Sequence, residues 1–261
     1  MSLSLFNLEG RVAIVTGAGR GIGKAIALGL ADAGADLVVA ARTASDLDVT
    51  GSEIAAKGRK VLAVPTDVRL SDQVNNLVEK AVAQFGRIDI LVNNAGGSFN
   101  VSTMELSEGG WDAIIRENLK SVFLCSKAAA KVMIGKNEGS IVNIASIAGL
   151  RGYIFNAAYG AAKAGIIDFT KTLAIELAPH NIRVNGIGPG SITTEGWLRL
   201  GEIEQKRMQG RLDLIPLRRF GKPEDIVGAV IYLTSKASSY VTGQTLVIDG
   251  GWINNLGWEQ Q

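Results

Sequence analysis

The chain has 261 residues, of which 47% are hydrophobic and 20% are charged, and its formal net charge at pH 7 is +2. This balance is typical of a folded protein with a large core and excludes a disordered chain. Because the charge is near neutral and spread along the sequence, we expect neither a nucleic-acid partner nor a membrane-surface partner.

The number of cysteines and the length of the apolar stretches indicate where in the cell the protein is found. Cys125 is the only cysteine, so no intrachain disulfide can form, and its apolar neighbours predict a buried structural thiol rather than a nucleophile. No uninterrupted apolar stretch approaches the roughly 20 residues of a membrane-spanning helix. The first residues do not resemble a signal peptide. These features predict a cytoplasmic protein.

Short runs rich in Val, Ile and Leu alternate with longer helical patterns along the whole chain. The predicted strands are 12–16, 37–41, 61–64, 88–92, 140–144, 183–187 and 245–248. The predicted helices are about 21–33, 45–57, 71–85, 107–134, 157–178 and 223–235. Because the strands are continuously apolar, we expect them to be buried on both faces of a parallel sheet.

This alternation predicts an α/β fold, a single-domain Rossmann-type doubly wound parallel sheet of about seven strands flanked by helices. We find no linker and no internal repeat, so residues 1–261 are predicted to form one domain. The irregular segment at about 191–217 carries apolar residues such as Trp197 among charges. Ligands of such sheets bind beyond the carboxyl ends of the strands, so we interpret this segment as a substrate flap.

A glycine-rich loop lies between the first predicted strand and the first predicted helix. Its glycines are Gly17, Gly19, Gly21 and Gly23, and Arg20 and Ile22 lie between them. Glycines allow a tight turn and let a pyrophosphate approach the helix N-terminus. A glycine cluster alone also fits an ordinary turn, but its place between strand and helix favours a dinucleotide site.

The end of the second predicted strand indicates which dinucleotide binds. A site for NAD usually has an acidic residue here, whereas this chain has Ala41 followed by Arg42. Arg20 in the glycine loop is expected to converge on the same place. Because guanidinium groups bind phosphate in a bidentate manner, we expect NADP(H) to be preferred over NAD(H).

Tyr159 and Lys163 are four residues apart in a predicted helix, with Ser146 upstream. Residues i and i+4 share a helix face, so the phenol and the ammonium would point into the same space. A nearby cation is expected to lower the tyrosine pKa and bring proton transfer within reach. Taken alone, the pair also fits a surface tyrosine packed on a lysine stem.

The chain resembles the short-chain dehydrogenase/reductase family over nearly its whole length, and most closely the 3-oxoacyl thioester (acyl-carrier-protein) reductases. The motifs that carry the resemblance are Thr16-Gly17-x3-Gly21-Ile22-Gly23, Asp67-Val68, Asn93-Asn94-Ala95-Gly96, Asn118, Ser146, Tyr159-x3-Lys163 and Pro189-Gly190. The resemblance implies an NAD(P)-binding catalytic domain and a carbonyl or secondary-alcohol substrate, with no metal.

The resemblance also implies a role for each motif residue. Tyr159 would exchange a proton with the substrate oxygen, Lys163 would lower its pKa and hold the nicotinamide ribose, and Ser146 would bind the same oxygen. Asn118 would anchor a water that relays the proton to solvent, although a simple kink residue is the alternative. The other implied cofactor-binding residues are Asp67, Val68, Asn94, Ala95, Gly96, Pro189, Gly190, Ile192 and Thr194.

The substrate is less well specified. Reduction of a 3-oxoacyl thioester or similar ketone is the first hypothesis, and a sugar, polyol or other secondary-alcohol dehydrogenase is the alternative. A non-catalytic redox sensor is the hypothesis from another class, but such proteins typically lose Tyr or Lys. Candidate pocket residues, chosen by proximity to the motifs, are Ser98, Phe99, Ile147, Arg151, Tyr153 and Phe155.

Two kinds of partner are considered. An acyl carrier protein would need basic residues at the active-site mouth, for which Lys127, Lys131 and Lys136 are candidates. The two long predicted helices at 107–134 and 157–178 carry more apolar positions than one sheet face can cover. We therefore expect a homo-oligomer, either a tetramer or a dimer.

Overall fold

Strands and helices alternate throughout the part of the chain that the computed structural model describes, which is residues 3–195, 210 and 212–255. The strands are β1 (Val12–Thr16), β2 (Asp36–Ala41), β3 (Val61–Pro65), β4 (Ile90–Asn93), β5 (Gly139–Ile144), β6 (Ile182–Pro189) and β7 (Thr245–Ile248). The main helices are α1 (Gly21–Asp32), α2 (Ala44–Ala56), α3 (Ser71–Phe85), α4 (Glu108–Ile115), α5 (Ser121–Lys136), α6 (Ala157–Leu177) and α7 (Glu224–Thr234). Within those ranges, every helix is too short or too polar to cross a membrane.

The strands form one parallel sheet in the order β3-β2-β1-β4-β5-β6-β7. From β1 the chain adds β2 and β3 on one side, then crosses back to add β4 on the other. The strand order therefore reverses between β1 and β4, and a crevice opens there at the carboxyl ends of the strands. The predicted seven-stranded, doubly wound fold is confirmed.

Each face of the sheet is covered by its own layer of helices. Neighbouring side chains point to opposite faces, so Ile14 packs toward α3 and α5 whereas Val15 packs toward α1, α2 and α7. All residues of β1 and β4 are buried, as predicted, whereas the edge strands β3 and β7 are mostly half-buried or exposed, so the expectation of burial on both faces is wrong for them. Cys125 belongs to the first layer, and burial raises its pKa to about 12, so its thiol is a structural group.

A row of hydrogen-bonded polar side chains crosses this apolar core. Asn93 donates through Nδ2 to Asn143 Oδ1 at 2.8 Å, and Asn143 donates to Thr170 Oγ1 at 2.9 Å. Thr170 in turn donates to the Ile166 carbonyl oxygen at 2.7 Å. The row links β4, β5 and α6, and buried polar groups of this kind require such partners.

Asp89 forms an ion-pair cluster at the opposite, amino edge of the sheet. Its carboxylate accepts hydrogen bonds from Arg87, Lys136 and the Val12 backbone amide. These donors keep the Asp89 pKa below its usual value despite desolvation. Lys136 therefore lies at the edge away from the cleft, so its suggested place at the active-site mouth is wrong.

The single helix predicted over 107–134 is interrupted. A π-helical turn, Arg116–Lys120, separates α4 from α5. Asn118 Nδ2 donates to the Ile114 carbonyl oxygen at 2.9 Å, and that oxygen is the acceptor that an α-helix gives to the backbone amide of residue 118. The side chain thus competes with the regular hydrogen-bond ladder and accounts for the wider turn.

Replacing Gly149 by Ala is expected to destabilise the fold. A Cβ at this position would lie 2.5 Å from the Lys163 carbonyl carbon and 2.7 Å from the Ala164 nitrogen. Because both atoms belong to the backbone of α6, neither can move away freely. We expect Gly149→Ala to lower the free energy of unfolding by about 1–3 kcal/mol in urea denaturation.

Gly152→Ala is the matched control because nothing lies within 4 Å of a Cβ there. It should change stability by less than about 0.5 kcal/mol. Equal stability of the two variants would show that the turn does not press on α6.

Candidate active site

A cleft of about 500 Å³ lies at the carboxyl ends of the strands, where the strand order reverses. Every residue predicted for catalysis or cofactor binding contributes to its lining: Gly17, Gly19, Arg20, Gly21, Ile22, Gly23, Arg42, Asp67, Val68, Asn94, Ala95, Gly96, Asn118, Ser146, Tyr159, Lys163, Pro189, Gly190, Ile192 and Thr194. The structure therefore brings them together, and the role of each stays a prediction.

Four charged residues of the cleft were missed by the sequence reasoning. They are Asp46, Arg69, Glu117 and Glu195. Asp46 is in the first turn of α2, directly beyond β2, and Arg69 is two residues after Asp67. Their closeness to predicted motif residues is the signal that could have found them.

The glycine loop curves around one side of the cleft, and four of its residues lack side chains. Gly17 and Gly21 have φ angles of +66° and +55°, which favour glycine. A Cβ at Gly23 would collide with the Gly17 carbonyl oxygen and the Asn94 amide. The loop leads directly into α1, whose N-terminus presents unpaired backbone amides. This geometry fits the pyrophosphate of a dinucleotide.

Hydrogen bonds fix the ends of β1 and β4 to each other beneath the glycine loop. Thr16 Oγ1 accepts from the backbone amides of Asn94 and Ala95 at 3.0 and 3.1 Å. The Asn94 side chain donates back to the carbonyl oxygens of Thr16 and Gly17 at 3.0 and 3.3 Å. The Asn94-Ala95-Gly96 turn is thus held rigidly against the glycine loop.

The segment after β6 borders the glycine loop. Gly221 pairs with this segment, accepting from the Thr193 amide at 2.8 Å and donating to the Ser191 carbonyl oxygen at 3.0 Å. The Thr194 methyl would lie 3.3 Å from a Cβ at Gly21. Ile192 and Thr194 therefore lie beside the glycine loop, and their contact with a cofactor stays a prediction.

The far end of the cleft carries alternating charges. Arg69 holds the Asp67 carboxylate through Nε at 2.8 Å and Nη2 at 2.6 Å, and these bonds lower the Asp67 pKa. Arg42 is exposed, and its Nη2 lies 3.8 Å from Glu117 Oε1. Arg20 is also exposed at the rim. These arginines fit an additional phosphate. Asp67 was predicted from the sequence, whereas Glu117 beside Arg42 was not.

Asn118 is fully buried and forms the floor between the glycine loop and Lys163. Its Nδ2 donates to the Gly97 carbonyl oxygen at 2.8 Å, and its Oδ1 accepts from the Gly97 amide at 3.3 Å. A Cβ at Gly96 would lie 2.6 Å from Asn118 Oδ1 and 3.8 Å from Lys163 Nζ. Both side-chain donors of Asn118 are occupied, so the implied water would have to meet one of its oxygens.

Ser146, Tyr159 and Lys163 converge at the inner end of the cleft. Ser146 follows β5, and its side chain is hydrogen bonded to Tyr159. Lys163 Nζ lies 5.4 Å from the centre of the Tyr159 ring, one turn away on α6. The ammonium donates to the Ile144 carbonyl oxygen at 2.8 Å. Spacing on the helix thus places phenol and cation together, as predicted.

The pKa of the tyrosine shifts in the direction opposite to the expectation. Burial raises the Tyr159 pKa above its ordinary value, and the hydrogen bond with Ser146 offsets this only in part. Burial also lowers the Lys163 pKa to about 8. Desolvation outweighs the attraction of the cation, because Lys163 Nζ bonds to a backbone carbonyl instead of to the phenol.

Two loops meet at the substrate end of the cleft. Ser98 donates to Asn156 Oδ1 at 3.2 Å, and Asn156 Nδ2 donates to Asn100 Oδ1 at 3.0 Å. Phe99 and Phe155 are exposed beside this junction, and Phe155 has a φ angle of +63°. A bulky residue in this region is strained. Ser98 lines the cleft, and Phe99 follows it in the chain.

Three further residues predicted for the substrate pocket pack around Trp252. Ile147 is buried with Trp252, and Tyr153 contacts the same indole with ring centres 5.7 Å apart. Arg151 places its guanidinium over Trp252 at 5.3 Å. None of the three is among the residues that line the cleft, so their contact with a substrate stays a prediction. Trp197 and much of the predicted flap lie outside the described residues.

Comparisons with known proteins agree with this geometry. The family model described as enoyl-(acyl carrier protein) reductase matches residues 17–253. The chain is 44% identical to 2-dehydro-3-deoxy-D-gluconate 5-dehydrogenase of Escherichia coli, over 97% of this chain and 99% of the relative. It is 43% identical to a 3-oxoacyl-[acyl-carrier-protein] reductase of Synechocystis, over 94% and 98% of the two chains.

A solved structure extends the comparison to a bound nucleotide. The chain superimposes with a TM-score of 0.86 on a candidate 2-deoxy-D-gluconate 3-dehydrogenase of Agrobacterium tumefaciens with bound NADP. The two chains are 41% identical, and the match covers 96% of this chain and 99% of the other.

The buried Lys163 should give stability a distinctive pH dependence. Its pKa falls from 10.5 to about 8 on folding, so the unfolded chain holds more protons between those values. The free energy of unfolding of the wild type should therefore rise through this window relative to Lys163→Met, by roughly 2 kcal/mol between about pH 8 and pH 10.

Below pH 8 Lys163 is protonated in both the folded and the unfolded wild type. The stability curves of the wild type and of Lys163→Met should therefore run parallel there. Denaturant titrations at a series of pH values measure the difference. Parallel curves across the whole range would mean that Lys163 keeps its ordinary pKa in the folded state.

Proposed function

Because the chain belongs to the short-chain dehydrogenase/reductase family, we propose that it is an NADP-dependent oxidoreductase of a ketone or secondary alcohol. The observation that carries this proposal is the convergence of Ser146, Tyr159 and Lys163 at the inner end of a dinucleotide-shaped cleft. A bound nicotinamide supplies or accepts the hydride, and the protein supplies position and a proton.

The raised Tyr159 pKa favours the reductive direction. At neutral pH the buried phenol keeps its proton, so it is ready to donate that proton to a carbonyl oxygen. The Ser146 hydroxyl is hydrogen bonded to the phenol, and we expect it to bind the substrate carbonyl oxygen as well. Lys163 keeps a positive charge below about pH 8, which stabilises the phenolate left after the transfer.

Asn118 serves the same relay as a positioning residue. Its side chain holds the Gly97 backbone and lies beside Gly96, near Lys163. A water bound at this floor would connect Lys163 to solvent and return the proton that Tyr159 gives up. The side-chain hydrogen bonds of Asn118 to Gly97 and Ile114 fix where that water can sit.

Arg42 and Arg20 support the preference for NADP(H) over NAD(H). Both line the far end of the cleft, and β2 ends at Ala41, followed by Arg42, without an acidic residue; the next acid along the chain is Asp46 in the first turn of α2. The relative from Agrobacterium tumefaciens binds NADP, which agrees with this assignment. Asp67 is neutralised by Arg69, so it opposes a phosphate less than a free carboxylate would.

The substrate proposal has two members. Reduction of a 3-oxoacyl thioester or similar ketone is supported by the Synechocystis relative, and oxidation or reduction of a sugar acid by the Escherichia coli relative. The loop junction at Ser98 and Asn156 offers polar groups to a sugar, whereas exposed Phe99 and Phe155 offer apolar surface to an acyl chain. The hypothesis of a carrier-protein partner is weakened, because Lys136, one of the three lysines suggested to bind it, lies at the opposite edge of the sheet.

We further propose one catalytic domain, a cytoplasmic location and a homo-oligomer, either a tetramer or a dimer. Exposed apolar side chains on α5 and α6 support association, since Phe123 is 43% and Ile175 is 77% exposed. Such groups are typical of surfaces that become buried in an assembly.

Tyr159→Phe should abolish most catalysis while leaving nucleotide binding nearly intact. General acid–base catalysis contributes about 100- to 10,000-fold, so kcat should fall by at least about 100-fold. NADPH oxidation would be followed with acetoacetyl thioesters and cyclic ketones, and NADP+ reduction with 2-dehydro-3-deoxy-D-gluconate. Tyr240→Phe is the control, because Tyr240 is fully exposed. Full activity of Tyr159→Phe would contradict the assignment.

NADPH should bind more tightly than NADH, and Arg42→Gln should remove most of that preference. A charge-assisted bond to an exposed arginine is worth about 1.4 kcal/mol, which is about tenfold in Kd. Fluorescence titration of both nucleotides measures it, and NADH binding should be nearly unchanged by the substitution. Tighter binding of NADH by the wild type would reject the cofactor assignment.

A further inference from the structure

One contact between opposite charges spans the far end of the cleft. Arg42 follows β2, and Glu117 lies in the π-helical turn beyond β4, so the two side chains reach each other from opposite sides of β1. Arg42 Nη2 and Glu117 Oε1 are 3.8 Å apart. The Arg42 side chain is 59% exposed and that of Glu117 is 29% exposed. The contact is therefore weak enough to exchange for another partner.

The turn that holds Asn118 also fixes Glu117. Ser121 Oγ donates to the Glu117 carbonyl oxygen at 2.6 Å, which anchors the backbone. A Cβ at Gly97 would lie 3.4 Å from Glu117 Oε2, so the carboxylate rests above the turn that follows β4. That turn forms the base of the cleft, and Glu117 therefore directs a negative charge into the space proposed for the adenosine half of the cofactor.

The three acids at this end of the cleft, Asp46, Asp67 and Glu117, have different neighbours. Asp67 is bound by two nitrogens of Arg69. Asp46 packs against Gly19 in the glycine loop. Among the residues that the structure describes, Arg42 is the cation within 4 Å of Glu117, and the attraction of Arg69 acts on it from farther away.

We propose that Glu117 is a positioning residue that sets cofactor selectivity through Arg42, a role that rests on the proposed NADP cofactor. The carboxylate competes with a 2′-phosphate for the Arg42 guanidinium and repels the phosphate itself. It therefore keeps the discrimination between NADP and NAD smaller than the arginines alone would make it. A nucleotide without the 2′-phosphate does not compete for Arg42 and is affected little.

The test uses two fragments that differ only in the 2′-phosphate, namely adenosine 2′,5′-bisphosphate and adenosine 5′-monophosphate. Their Kd values are measured by calorimetry on wild type and Glu117→Gln. We expect the Kd of the bisphosphate to fall about two- to fivefold in the variant, and that of the monophosphate to stay the same. The gain should shrink as ionic strength rises. Glu117→Ala should give the same direction.

Two controls separate a local effect from a general one. Glu195→Gln also removes one negative charge from the cleft, but at the Thr194 side, and should leave the ratio of the two Kd values unchanged. In an Arg42→Gln background, Glu117→Gln should lose most of its effect, because the competition is removed. Thermal unfolding checks that each variant is folded.

The outcomes distinguish this inference from the proposed function. If the wild type binds NADP but Glu117→Gln and Glu117→Ala leave the ratio unchanged or lower it, the role of Glu117 is rejected and the function stands. The role is also rejected if Glu195→Gln shifts the ratio equally. If the wild type binds neither NADP nor NAD, the proposed function itself fails.

Discussion

The hydrogen bond from Lys163 to the Ile144 carbonyl oxygen ties α6 to the end of β5, and the site depends on it. Lys163 is 4% exposed, so its charge is removed from water with one backbone acceptor in compensation. The cost appears as its lowered pKa, and the same desolvation raises the pKa of Tyr159. The protein thus holds a neutral acid beside an easily discharged cation, and both are poised for proton exchange.

The π-helical turn between α4 and α5 positions two side chains of the cleft. The Asn118 side chain donates a hydrogen bond to the Ile114 carbonyl oxygen in its own helix. It also donates one to the Gly97 carbonyl oxygen across the widened turn. The preceding residue, Glu117, is directed at Arg42 by the same turn. One turn of the backbone therefore sets the positions of both the Asn118 amide beside Lys163 and the Glu117 carboxylate beside Arg42.

Much of this arrangement could be predicted because it follows from the pattern of apolar residues and from the spacing of the motif residues in the sequence. Continuous apolar runs identified the buried strands, and the i, i+4 spacing of Tyr159 and Lys163 placed both side chains in one space. Burial was harder to anticipate. The direction of the Tyr159 pKa shift depends on desolvation by neighbours distant in sequence, and Arg151 turned to Trp252 because an aromatic face was available near the far end of the chain. Proximity in sequence says little about which way a loop side chain points.

The polar row of Asn93, Asn143 and Thr170 lies just beneath the cleft and outside the loops that border it. Asn143 directly precedes Ile144, whose carbonyl oxygen holds Lys163. Slipping β4 against β5 by one residue would strand these amides in an apolar layer, so the row locks the register of the strands. Rim loops such as 97–101 and 150–156 make no part of that lock. A scaffold of this kind can exchange its rim loops without losing the alignment of Ser146, Tyr159 and Lys163, so transplanting these loops between relatives is a practical route to altered clefts.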